Sequence, residues 1–221
     1  MSDDEHPSGS GRLVMALTWA ALLLALWQWG VQLTDVRQDM SAPATGDMGA
    51  VGRPPVTELP PAVRPLGNAL PQRIDIPALG VQAPVLPRGL DRQGAIEPPP
   101  FEQAGTVGWY AAGTRPGAAG AALMLGHLDT ETGPAVFYKL SSLRPGQTVR
   151  VTRDDGKAAE FTVEGVQVQN RDHFDARQAY GQHRPGRAEL RLITCGGTFD
   201  RDSGSYTANV IVSAYLTGTG H

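Results

Sequence analysis

Residues 189–197 read Glu-Leu-Arg-Leu-Ile-Thr-Cys-Gly-Gly. Apolar Leu190 and Leu192 alternate with polar neighbours, and Ile193 and Thr194 are β-branched, so the stretch predicts a strand. Gly196 and Gly197 predict a turn, which would leave Cys195 at the strand's end, rigidly held and able to face solvent. The same pattern recurs on both sides. Arg73 to Pro77, Val81 to Leu86, Ala121 to Leu125, Thr148 to Val151, Ala159 to Val168 and Ala208 to Tyr215 alternate or carry apolar and β-branched runs. Arg144-Pro145-Gly146, Asp154-Asp155-Gly156 and Arg184-Pro185-Gly186 are turn signals between them. Asp175 to Tyr180 alone invites a short helix. Roughly eight strands in this span predict an all-β barrel or sandwich.

Composition agrees. The chain of 221 residues is 41% hydrophobic and 19% charged, which disfavours disorder. With 27 glycines and 18 prolines it suits a turn-rich β fold better than a helix bundle. The net charge of -3 offers no basic surplus to neutralise phosphates, so no nucleic-acid partner is expected. Cys195 is the single cysteine, which excludes an intrachain disulfide and a cysteine-based zinc cluster.

Upstream the character changes. Residues 1–12 form a polar tail. Leu13 to Leu33 carry no charge, and as a helix would span roughly 31 Å, the thickness of a bilayer's hydrocarbon core. Trp27 and Trp29 near its far end suit the headgroup interface. The segment reads as an uncleaved single-pass signal anchor with its N-terminus inside. Seven prolines between Ser41 and Gln72 mark residues 34–72 as an extended linker. The expected organisation is a cytoplasmic tail (1–12), a membrane anchor (13–33), a linker (34–72), a catalytic domain (73–217) and a short tail (218–221).

A nucleophilic thiol needs a base or acid partner and a positive group for the oxyanion. His127 follows an apolar run as Leu125-Gly126-His127-Leu128-Asp129, again at a strand end, whereas His173 and His183 lie in polar, turn-rich sequence. Arg201 sits just past Cys195, where a turn could fold it back. Read singly, Cys195 could be a small core residue, His127 a structural histidine and Arg201 a surface partner of Asp200 or Asp202. His127 with Asp129 is a weak basis for a metal, so neither metal nor cofactor is expected.

Arg191-Leu192-Ile193-Thr194-Cys195 resembles the sortase signature TLxTC, and Gly126-His127-Leu128-Asp129 resembles the sortase histidine motif. The runs Gly126–Phe137 and Leu192–Asp200, with Tyr206 and Asn209–Val212, are similar to the class F branch. The resemblance implies an eight-stranded sortase-type β-barrel with short helices, carried outside the cell membrane. It implies a cysteine transpeptidase that cleaves an LPXTG-like sorting signal between Thr and Gly through a thioacyl intermediate. The acyl group would pass to an amine of a cell-wall precursor or a pilin lysine. In that scheme Cys195 is the nucleophile, His127 protonates the leaving amine and Arg201 steadies the oxyanion. Thr194, Asp129, Tyr206 and Asn209 are candidates for substrate binding. Many sortases carry the arginine about thirteen positions after the cysteine; here Ala208-Asn209 stand there, which moves the role to Arg201. Two other readings are an L,D-transpeptidase, which would show Ser-x-Gly-Cys-x-Arg, and a non-catalytic barrel that binds wall peptides.

Overall fold

Alternation along each segment is satisfied by closing the strands on themselves. A computed structural model describes residues 58–220. The expected cytoplasmic tail, membrane anchor and first part of the linker lie outside them. Among the described residues no helix is long and apolar enough to cross a membrane.

β1 (Pro71–Ile76) pairs antiparallel with β2 (Val81–Arg88), and β2 runs parallel to β3 (Val107–Tyr110). β3 is antiparallel to β4 (Gly120–Leu125). After a two-residue hairpin, β5 (Asp129–Thr130) and β6 (Gly133–Pro134), come β7 (Thr148–Arg153) and β8 (Ala158–Asn170). β9 (Ala188–Asp200) lies parallel to β4 and antiparallel to β10 (Ser205–Gly220). β10 pairs with β8, β8 with β7 and β7 with β1, which closes an eight-stranded barrel in the order β1-β2-β3-β4-β9-β10-β8-β7. Closure leaves the barrel itself no free edge.

The period of two sorts each strand into an inner and an outer row. Leu190 and Leu192 face inward with Ile74, Met124, Phe161 and Val212, all fully buried. Each such side chain contributes roughly 1.5–3 kcal/mol of burial. The outer row of β9 is Glu189, Arg191, Ile193 and Cys195. Glu189 and Arg191 are covered by residues 181–187: Arg191 donates to Glu189 at 2.5 Å and to the Gly181 carbonyl at 2.9 Å. Arg187 bridges Glu189 at 3.0 Å and Glu164 at 2.8 Å. Ile193 packs with Ile211 under Ala179 of α1 (Ala176–Tyr180), whose N-cap Asp175 accepts from the Arg177 and Gln178 amides. The cover stops there, and Cys195 is left exposed.

Three expectations about boundaries change. Residues 58–70 are not a free spacer. They lie along the barrel, with Val63 N–H bonded to Leu216 O, Leu66 N–H to Gly117 O, Tyr215 Oη to Pro60 O and buried Arg153 Nη2 to Gly67 O. Proline removes amide donors, but its carbonyls and its neighbours still dock. β1 therefore begins at Pro71, ahead of the expected start at 73. Residues 218–220 are not a tail: they complete β10 against Ala158 to Glu160, because ladder bonds need backbone and not side chains. β3, too short and interrupted by Gly108 to show a period, escaped the sequence reading.

Candidate active site

β4 and β9 are parallel neighbours, so their C-terminal ends emerge side by side. The last register pair is Leu125 with Ile193, and the Gly126 N–H extends the ladder to Ile193 O at 3.1 Å. His127 and Cys195 each stand two residues beyond that pair. Both line one cavity of about 660 Å³, with Phe101, Asp129, Glu131, Arg171, Phe199 and Tyr206 among its walls.

His127 is held from three sides. Its carbonyl accepts from Phe137 N–H at 3.0 Å. Its ring stacks on Phe101 with centroids 4.3 Å apart. Its Nε2 lies 2.7 Å from the Pro99 carbonyl. A carbonyl oxygen only accepts, so Nε2 carries a proton and Nδ1 is the nitrogen that can gain or lose one. Among the described residues Nδ1 has no hydrogen-bond partner.

Cys195 is not at the strand's end. β9 continues through Gly196 and Gly197 to Asp200, and the expected turn is a bulge: between Tyr206 and Ala208 the register slips, Gly197 takes φ 79°, and Thr198 N–H bonds Thr207 Oγ1. The added twist leans Phe199 and Tyr206, in edge-to-face contact at 5.2 Å, against the cavity. The Cys195 thiol is pushed above its ordinary pKa by desolvation against the barrel. The Arg171 guanidinium pulls it back down and the Asp129 carboxylate pushes it up. Tyr206 Oη donates a short hydrogen bond to Asp129 Oδ2, and that bond, with desolvation, pushes the phenol up to about 12. With Nε2 of His127 committed to Pro99 and Asp129 to Tyr206, the two make a poor metal pair.

The other sequence candidates fare differently. Thr194 sits one residue from Cys195 and therefore on the opposite face. It is buried, its hydroxyl has no partner among the described residues, and it does not line the cavity. Asn209 is directly across from Cys195 on β10, half-buried, beside the cavity rather than in its wall. Arg201 is exposed in the turn between β9 and β10 and is not a lining residue. Its neighbours Gly204 and Ser205 in that turn do line the cavity. The guanidinium at the cavity belongs to Arg171, which the sequence did not flag. No motif contains it, and its place depends on β8 lying beside β10.

Residues 74–217 match the sortase domain family. No curated protein matches the chain. Among solved structures, the SrtA sortase from Actinomyces oris is 20% identical, with a TM-score of 0.52 over 74% of this chain and 89% of that one. Sortase C-1 from the same organism is 21% identical, with a TM-score of 0.50 over 66% and 73%. A pilus-related sortase C of Group B Streptococcus is 15% identical, with a TM-score of 0.51 over 69% and 70%.

Proposed function

The chain belongs to the sortase family, whose members are typically cysteine transpeptidases, and from that premise we propose that it is one, of the class F branch. It cleaves an LPXTG-like sorting signal between Thr and Gly and transfers the acyl group to an amine acceptor at the cell wall. Residues 13–33 anchor it in the cell membrane and hold the catalytic domain outside. The observation that supports this reading is the parallel β4–β9 register, which sets His127 and Cys195 together at one apolar cavity.

The chemistry follows from that pair. In the reactive form the thiol proton resides on His127, leaving the Cys195 thiolate and an imidazolium. The sulfur attacks the Thr carbonyl carbon, a C–S bond forms and the carbonyl oxygen takes up the negative charge. As the tetrahedral centre collapses, the C–N bond to Gly breaks and the amine leaves with a proton from His127. The acceptor amine then attacks the thioester and gives its proton to His127, and the thiolate departs. Phe101, Phe199 and Tyr206 supply an aromatic wall against which the substrate's apolar side chains can pack.

The test is to incubate the intact protein with an LPXTG peptide and an amine acceptor. A thioacyl adduct on Cys195 and a ligated product are expected. Cys195→Ala should fold and fall below about one per cent of wild-type turnover, because no other thiol exists to carry the acyl group. Comparable turnover in that variant would overturn the covalent mechanism.

A further inference from the structure

We propose that Arg171 is the cation of this site, stabilising the Cys195 thiolate and then the oxyanion that forms when it attacks. The inference rests on the cysteine-transpeptidase reading of the cavity. The titratable or charged groups lining the cavity with Cys195 are His127, Asp129, Glu131, Arg171 and Tyr206. Of these, Arg171 alone is a permanent cation, set among two carboxylates, an imidazole and a phenol.

Its position is built by the sheet. Asn170, the last residue of β8, registers with Ala208 of β10, so the chain leaves the barrel beside Tyr206 and Thr207. Arg171 opens the short 3-10 turn Arg171–His173 at that point. Its Nη1 reaches the Tyr206 carbonyl at 3.4 Å, a long bond that keeps the arm over the cavity rim. The contrast with other arginines is informative. Arg153, Arg187 and Arg191 are spent on carboxylates. Among the described residues Arg171 has no ion pair, so most of its planar fork of donors remains available to a substrate oxygen. Its charge already acts on the sulfur, opposing desolvation.

The experiment follows alkylation of Cys195 by iodoacetamide across pH in the intact protein, where a single cysteine makes the signal unambiguous, together with peptide kcat/KM. Arg171→Ala should move the alkylation profile to higher pH and lower kcat/KM about a hundredfold with little change in KM. Arg171→Lys should restore most of the profile but only part of kcat/KM, since it keeps the charge and loses the fork. Arg201→Ala should show the smaller loss on both. Arg171 is exposed, so melting temperature should hold and separate these effects from misfolding. An unmoved alkylation profile in Arg171→Ala would overturn the proposal, as would a deeper loss in Arg201→Ala. A moved profile with unchanged kcat/KM would overturn the oxyanion role. If wild-type protein cleaves no sorting peptide, the alkylation profile still decides the thiolate role of Arg171, so the two readings fail separately.

Discussion

Gly126 has no space for a side chain. A Cβ there would lie 2.6 Å from Phe137 Cδ2 and 2.7 Å from Val136 Cγ1, and the backbone it would displace is the one that places His127. Gly126→Ala should cost about 1–3 kcal/mol in urea unfolding and lower peptide kcat/KM at least tenfold, because a small displacement of a proton donor is expensive. Wild-type turnover in a destabilised variant would show that the His127 position tolerates the shift. At the same scale, the Tyr206 hydroxyl bond draws charge from Asp129, whose carboxylate pushes the Cys195 thiol up. Tyr206→Phe should therefore move the alkylation profile to higher pH, and Asp129→Asn to lower pH; the opposite order would dissociate the pair from the thiol. His127, Asp129 and Cys195 could be singled out because they stand in short contiguous motifs, and Tyr206 because it follows one; all four line the same cavity. The misplacement of Thr194 was legible too, since the strand period alone turns it away from Cys195. Arg171 was not, because nothing local says which strand will flank β10.

The elements were read where their side chains alternate or, as in β4, form a short apolar run. β1, β2, β7, β8, β9 and β10 show that period, and α1 shows its cap at Asp175. Residues 58–70 show neither, and their prolines argued for a spacer, yet their backbone groups dock along the barrel. Arg153 is fully buried and takes one of its partners, the Gly67 carbonyl, from this segment. A chain beginning at residue 73 should accordingly melt about 5–10 °C below one beginning at residue 58, from loss of a charged hydrogen bond and of Leu66 packing. Equal melting temperatures would mean that the docked segment adds nothing. The chain from 58 should retain full peptide cleavage, since among the described residues every lining residue of the cavity falls between Phe101 and Tyr206.

For the molecule as a whole, the outer face of β9 carries a buried charge network that composition could not reveal. Burial alone would raise the Glu189 carboxyl, but hydrogen bonds from the His183 amide, Arg191 and the Arg184 amide outweigh it and hold the pKa below the ordinary value of 4.5. Its stabilising contribution is thus present above about pH 4.5 and lost as the pH falls through its folded pKa. Glu189→Gln should cost about 3–5 kcal/mol at neutral pH by leaving the Arg191 charge buried without its countercharge, and should flatten the acid limb of a plot of urea midpoint against pH. An unchanged acid limb would place the acid lability elsewhere. The parallel junction of β4 and β9 acts on a different axis, that of time. Parallel partners cannot be joined by a hairpin, and the chain must lay down β5 through β8 before β9 can dock beside β4. The histidine half of the site is synthesised early and waits, inert, for a strand near the end of the chain. A nascent or half-folded chain thus holds no assembled pair of histidine and cysteine, and the site exists only once the fold is complete.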